Sequence, residues 1–178
     1  MIKLFIVSHV ALLLVACQPS ATVRESSGNT FAQLQGARLV LNQPIRVRPG
    51  KARVFVQDGA VGGWFNSYKT HCAFEIKSVR HDGVVIDPDT FIVSKVQRSV
   101  QEVVRAEPVR VAALWLVEGM GGGGSSSYYS GYHFWLSSES QPEVRRMSCF
   151  GVFAQPYELY PPTLEEIRDA LGSVATLE

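Results

Sequence analysis

The sequence lacks an excess of charge of either sign. Its 178 residues carry 17 Lys and Arg against 16 Asp and Glu, which gives a formal net charge of +1 at pH 7. Binding to the phosphate backbone of nucleic acids depends on a strong positive field, and the overall balance provides none. We therefore expect no nucleic-acid partner.

The sequence also lacks the motifs that mark common catalytic and nucleotide-binding sites. It contains no Gly-x-Ser-x-Gly, no His-Glu-x-x-His and no Gly-Lys-Ser/Thr. The glycine run of residues 119–124 matches a dinucleotide fingerprint formally. The Ser and Tyr residues after it do not predict the helix that pyrophosphate binding requires. We expect no catalytic residue and no nucleotide cofactor.

No apolar run reaches the roughly 20 residues that a membrane-spanning helix needs. The N-terminal run, residues 4–16, follows a basic start at Lys3 and has the length of a signal-peptide core. It ends in Leu14-Val15-Ala16-Cys17. This motif resembles the lipobox of bacterial lipoproteins at all four positions. The resemblance implies that residues 1–16 are a signal peptide and that Cys17 receives a covalent lipid, with no other cofactor.

The same resemblance implies a location in the cell envelope, with the membrane as a partner through the lipid. Gln18 follows Cys17, where inner-membrane lipoproteins of the enteric type carry Asp. The outer membrane, on its periplasmic side, is therefore favoured. Residues 48–59 and 71–76 also resemble segments of small uncharacterised lipoproteins of Gram-negative bacteria.

Cysteine is scarce, with three residues in the chain. If Cys17 carries lipid, Cys72 and Cys149 remain as an even pair in an oxidising compartment, where such pairs usually form disulfides. Both fall on the apolar parity of their predicted strands. We expect a disulfide between them. His71 and Met147 lie near these cysteines without a recognised ligand spacing, so we expect no metal.

The remaining pattern predicts a mainly β protein, an antiparallel β-sandwich or barrel with one C-terminal α-helix. Residues 18–29 are mostly small and polar, and we predict a flexible tether after the lipid over residues 17–33. The β domain spans residues 34–178, with residues 109–117 as a central strand because they form its longest apolar stretch. Thr163-Leu164-Glu165-Glu166 is typical of a capping box and predicts a helix over 163–171.

Two stretches are candidate binding surfaces. Residues 38–57 contain five cations and no acid, which is typical of a solvated strand face or of a docking patch for an anionic partner. These cations are Arg38, Arg46, Arg48, Lys51 and Arg53.

The second stretch is a loop predicted over residues 119–131, rich in Gly and Ser. Tyr128, Tyr129, Tyr132 and Trp135 add aromatic contact area to it, a mixture that binding surfaces often use. The alternative is that Tyr132 and Trp135 pack in a pair of strands.

These observations favour a non-catalytic, lipid-anchored periplasmic module for binding or envelope assembly. Its expected partner is an envelope protein or a peptidoglycan-related molecule. A second hypothesis is an inhibitor of an envelope hydrolase such as lysozyme, in which the loop at 119–131 plugs the cleft of the enzyme. A third is an enzyme without a recognisable motif.

Overall fold

The computed structural model describes residues 19–26, 29–104 and 127–178 and shows a mainly β protein. Within these ranges lie twelve strands, one α-helix and a short 3-10 helix at Pro156–Glu158. The elements are β1 (Val23–Arg24), β2 (Phe31–Ala32), β3 (Arg38–Leu41), β4 (Ile45–Val47), β5 (Arg53–Gln57), β6 (Ala60–Gly62), β7 (His71–Ile76), β8 (Val84–Ile86), β9 (Asp89–Val104), β10 (Ser127–Ser137), β11 (Val144–Phe150), α1 (Leu164–Leu171) and β12 (Ala175–Leu177).

Eight of the strands form one curled antiparallel sheet in the order β12-β3-β9-β10-β11-β7-β5-β6. Two small sheets accompany it, β4 with β8 and β1 with β2. The prediction of a mainly antiparallel β fold with a C-terminal helix is confirmed. The strand predicted at residues 109–117 lies outside the described residues.

The concave face of the sheet and helix α1 enclose the hydrophobic core. Alternate residues of the central strands point into it, and Phe74, Phe134 and Met147 are fully buried there. From the helix, Ile167 and Leu171 are fully buried against them. Helix α1 contacts β12, near one end of the sheet, as well as β5 and β7, toward the other. The helix therefore closes the open side of the curled sheet.

Helix α1 begins where the capping box predicted. The hydroxyl oxygen of Thr163 accepts a hydrogen bond from the backbone N–H of Glu166, and the Glu166 carboxylate accepts one from the backbone N–H of Thr163. Two backbone N–H groups that the helix leaves without partners are satisfied in this way. Gly172 follows the last helical residue, with a φ of 52°.

Cys72 and Cys149 face each other across β7 and β11, which are neighbouring strands. Their Sγ atoms lie 2.06 Å apart, at the distance of a disulfide bond, and both residues are fully buried. The predicted pairing is therefore found at the centre of the sheet. It joins positions 77 residues apart in the chain.

The described part of the predicted tether packs on the domain. The backbone N–H of Ala21 donates to the Val96 carbonyl oxygen at 2.8 Å, and the Ser20 hydroxyl oxygen accepts from the Val96 N–H at 2.9 Å. Val23 is fully buried in the core. In residues 19–26 and 29–33 the structure thus differs from the flexible tether that was predicted over residues 17–33. Burial of Val23 and the bonds to β9 hold a segment whose composition alone predicted mobility.

Candidate anion-binding site

Near the β6 edge of the large sheet lies a cleft of about 530 Å³. We call it the basic cleft. Its floor and walls come from β4, β5, β6, the turn between β4 and β5, and the loop after β7. Four cationic side chains line it, and none of the described residues lining it is acidic. The lining comprises Arg46, Arg48, Gly50, Lys51, Ala52, Arg53, Val54, Phe55, Val61, Gly62, Gly63 and Val79.

Strand β4 and the following turn place the first three cations. Ile45 and Val47 point into the core and are buried, so the intervening Arg46 points outward. The chain then turns at Gly50, which has a φ of 69° and whose N–H donates to the Arg80 carbonyl oxygen at 2.9 Å. Glycine adopts this left-handed conformation without steric cost. The turn leaves Arg48 and Lys51 exposed beside Arg46.

Strand β5 supplies the fourth cation by the same alternation. Val54 and Val56 are buried in the core, whereas Arg53 is exposed and Phe55 is half-buried on the other face. Opposite them, Gly63 has no side chain, and a Cβ built there would lie 2.9 Å from an Arg48 guanidinium nitrogen. The glycine therefore leaves the space that the Arg48 head group occupies.

Arg46, Arg48 and Lys51 form no ion pair with any carboxylate among the residues that the structure describes. Their side chains thus bring positive charge together without a protein counter-charge in contact. Arg38, the fifth cation of the 38–57 stretch, lies elsewhere and pairs with Glu178 at 2.9 Å. Four of the five cations of the stretch thus line one cleft, and both the solvated strand face and the docking patch stay predictions.

A buried acidic group lies behind the cleft on β7. Glu75 is 7% exposed, its carboxylate accepts a hydrogen bond from the Nε atom of Arg146 at 2.9 Å, and the Nη2 atom of Arg146 lies 2.9 Å from the same oxygen in an ion pair. Burial alone would raise the pKa of Glu75. The hydrogen bonds from Ser148 and Arg146, with the charges of Arg146 and Arg53, lower that pKa below its ordinary value. Glu75 is therefore ionised at neutral pH, and Arg146 holds its charge directly.

His133 and Ser148 extend this network across β10 and β11. The Ser148 hydroxyl donates to the Glu75 carboxylate at 2.8 Å, and the Nδ1 atom of His133 lies 2.8 Å from the Ser148 oxygen. Since the serine proton points to Glu75, Nδ1 carries a proton and donates to Ser148. Burial and the neighbouring Arg146 charge lower the pKa of His133 to about 4, so the ring is neutral at pH 7.

This arrangement is not that of an activated serine. In a serine hydrolase the imidazole accepts the hydroxyl proton, whereas here the carboxylate does. Ser148 is also only 1% exposed. Sequence reasoning missed the network altogether. Its one visible signal was the shared parity of Glu75 with His71 and Ala73, opposite the core face.

The four aromatic residues predicted in a binding loop lie in strand β10, between β9 and β11. Residues 127–131 of the predicted loop are therefore part of a strand, and Tyr129 and Tyr132 are buried in it. A strand forms because β9 and β11 satisfy the backbone of this polar segment on both sides. Residues 119–126 of the predicted loop lie outside the described part of the chain.

The aromatic residues of β10 divide between the two faces of the sheet. Tyr129 packs on the outer face near His71, with ring centroids 5.3 Å apart. Trp135, on the same face, has the guanidinium groups of Arg145 and Arg146 at 5.2 and 5.3 Å from its ring centroid. Tyr132 lies on the opposite face, and Tyr128 is half-buried. They form no single surface, but Trp135 and Tyr132 do pack in paired strands, as the alternative predicted.

Residues 19–26, 29–104 and 127–178 contain no group of three or more His, Cys, Asp or Glu placed to hold a metal ion. None of their helices is long and apolar enough to cross a membrane. Cys17, the expected lipidation site, lies outside the described residues. No family model, no curated protein and no solved structure matches this chain.

Proposed function

We propose that this chain is a bacterial envelope lipoprotein, anchored through lipid on Cys17 to the outer membrane and facing the periplasm. Its domain is a non-catalytic binding module that takes an anionic envelope ligand in the basic cleft. The lipobox supports the anchor, and the cysteine pair is consistent with an oxidising compartment. The cleft supports the binding role.

The observation that carries the binding role is the gathering of four cations in one cleft, with no acidic lining residue among those that the structure describes. Like charges brought together repel one another, and counterions or a bound anion relieve the repulsion. Arg38 and Lys69, outside the cleft, have carboxylate partners. Arg46, Arg48 and Lys51 have none among the described residues, so the cleft is suited to receive a negative charge from outside.

The cleft also limits the kind of ligand. Its volume of about 530 Å³ lies within the range of small-molecule sites. Three of its cations are arginines, whose planar head groups bind carboxylate or phosphate through two parallel hydrogen bonds. Phe55, Val61 and Val79 add an apolar wall. We infer a ligand with a carboxylate or phosphate on a short, partly apolar chain, which peptidoglycan fragments would provide.

Calorimetric titration of the protein with soluble peptidoglycan fragments tests this role. An Arg48→Gln variant should bind them at least about tenfold more weakly, because a hydrogen bond to a charged group contributes about 1.5–3 kcal/mol. Binding should also weaken as salt is raised, since the cations are exposed. An Arg38→Gln variant is the matched control, because Arg38 belongs to the same basic stretch but lies outside the cleft. Equal affinity in the two variants, or no binding by the unaltered protein, would contradict the role.

The anchor and the inhibitor hypothesis have separate tests. A Cys17→Ser variant should remain unprocessed or leave the membrane fraction, and normal membrane retention would disprove lipid anchoring.

The unaltered protein can be assayed against lysozyme to test the inhibitor hypothesis. Inhibition at micromolar concentration would replace the binding role with that of a hydrolase inhibitor.

A further inference from the structure

A second cleft of about 520 Å³ lies beside the N-terminal segment, and we call it the anchor-side cleft. Two arginines and three aromatic residues line it, and no lining residue among those described is acidic. The lining comprises Ser20, Ala21, Thr22, Arg24, Phe31, Arg98, Tyr132, Tyr160 and Pro161.

Its position follows from how the chain enters the domain. Ser20 and Ala21 are fixed to Val96 of β9 by hydrogen bonds between 2.8 and 3.4 Å. Cys17 precedes Ser20 by three residues, and three residues span at most about 11 Å even when fully extended. Ser20, which lines this cleft, therefore lies within about 11 Å of the Cys17 backbone.

That distance is comparable to the thickness of the polar layer of a membrane. A bilayer of about 40–45 Å has a hydrocarbon core of about 30 Å, which leaves about 5–8 Å of headgroups on each side. A lipid on Cys17 inserts its acyl chains into the core, so the cysteine itself lies at the headgroup level. The short connection then brings the anchor-side cleft to the membrane surface.

The residues at the rim suit that surface. Phe31 and Tyr160 are large aromatic side chains with 57% and 69% of their surface exposed, and aromatic residues favour the interface between membrane and water. Arg24 and Arg98 lie close enough to buried Tyr132 for their charges to oppose the rise that burial causes in its pKa. The two arginines therefore share one patch of positive charge beside the aromatic rim.

We propose that the anchor-side cleft is the face that the domain lays on the membrane, with Arg24 and Arg98 on lipid phosphates and Phe31 and Tyr160 at the headgroup level. This inference rests on the proposed lipid at Cys17. It adds that the domain has a fixed orientation, because the bonds of Ser20 and Ala21 to β9 and the burial of Val23 leave little freedom between lipid and fold.

Photo-crosslinking in intact membranes tests the orientation with the full-length chain. One variant carries p-benzoylphenylalanine at position 31, and the control carries it at position 79 in the basic cleft. Phe31 and Val79 have the same exposed fraction, 57%, so the two probes differ in place but not in accessibility. After irradiation, phospholipid adducts are measured by mass spectrometry. Adducts should form at position 31 and be near background at position 79.

An Arg24→Gln/Arg98→Gln double variant should lower the adduct yield at position 31 by at least about tenfold, because each arginine near an anionic leaflet contributes a factor of about five. Equal adduct yields at positions 31 and 79, or adducts at 79 alone, would overturn the orientation in a membrane-bound protein. The mass of the N-terminal peptide separates this result from failure of the anchor. A chain without lipid on Cys17 would refute the anchor and this inference together.

Discussion

Both faces of strands β7 and β11 are buried, but one face is apolar and the other is polar. On the face toward α1, Phe74 and Met147 lie fully buried beside the cysteine pair. On the other face, Glu75 and Ser148 are buried with polar partners. An apolar face is stabilised by removing its surface from water, whatever its neighbours are. A polar face tolerates burial only if each polar atom finds a partner.

The difference shows which face of the sheet depends on particular residues and on the pairing of its strands. Any well-packed apolar neighbour can cover the inner face, whereas the outer face requires particular residues on three adjacent strands. Glu75 on β7, Ser148 on β11 and His133 on β10 are linked in that order across the sheet. The outer network therefore forms only when these strands pair in this register. Substitutions on each face separate the two kinds of stabilisation.

Truncation of the inner face should have the largest effect. A Phe74→Ala variant removes a fully buried ring and should lower the free energy of unfolding by about 3–5 kcal/mol. Urea unfolding followed by circular dichroism measures the change. Phe31→Ala is the control, since that ring is exposed and its loss should change stability little. Similar small effects for both variants would mean that the inner face is not the main source of stability.

Breaking the outer network should lower the free energy of unfolding somewhat less than Phe74→Ala does. The loss should depend on whether residue 75 carries a charge. An Arg146→Met variant leaves the Glu75 carboxylate buried without its ion pair and should lose about 3 kcal/mol at pH 7. Adding Glu75→Gln should recover part of that loss, because a neutral amide is easier to bury. Unfolding curves of the two single variants and the double variant give the coupling. Strictly additive losses would show that the pair is not coupled.

The outer face should also make stability depend on pH. Unfolded histidine has a pKa near 6.5, whereas that of folded His133 is about 4. As pH falls below 6.5, the unfolded chain binds a proton that the folded chain does not, so stability falls. Between pH 7 and pH 4.5 this difference amounts to about 2 kcal/mol. Burial lowers the pKa of His71 too, and adds to the loss in the same direction.

A His133→Asn variant isolates this contribution. Asparagine has an amide that can donate to Ser148 but does not titrate in this range. Its stability should change less between pH 7 and pH 4.5 than that of the unaltered protein, in urea unfolding at each pH. His81→Asn, at an exposed turn residue, is the control and should keep the original pH profile. An unchanged profile in His133→Asn would assign the dependence to other groups.

The smallest effect concerns the helix that covers the inner face. A Thr163→Ala variant removes the side-chain oxygen that caps α1 and should lower the free energy of unfolding by about 1 kcal/mol. Thr163→Ser keeps an oxygen at the same place and should preserve most of the stability. Thermal unfolding of the two variants checks this. Equal losses in both would mean that the capping bond contributes nothing.

What could be predicted from the sequence was mostly local or on the inner face. The capping box needs only four consecutive residues, and it formed at Thr163 as the pattern predicted. Parity placed Cys72 and Cys149 on the apolar side of two strands, and their approach followed from the pairing of β7 with β11. These features depend on backbone periodicity and on few contacts between residues that are distant in sequence.

What could not be predicted depended on which element covers which surface. The composition predicts Gly131 in a loop, but in β10 it is the residue that lets Phe150 and the Cys149 carbonyl oxygen approach. It also predicts Val23 in a tether, yet Val23 is buried in the core. The Glu75 network could not be predicted because Glu75 is distant in sequence from Ser148 and His133, which contact each other and Glu75 only through the pairing of β7, β11 and β10. The basic stretch, by contrast, can be recognised from its composition. The structure adds that four of its five cations line one cleft.

The pairing of β3 has a consequence for the order in which the molecule can be completed. Arg38–Leu41 is flanked by β9 on one side and by Ala175–Leu177 on the other. A chain that emerges from its N-terminus therefore exposes one edge of β3 until the last strand has been delivered. Cys72 likewise stays unpaired until Cys149, 77 residues further along the chain, has emerged. Until then the incomplete domain exposes an open strand edge, to which another chain can add a strand, and a free Cys72 thiol.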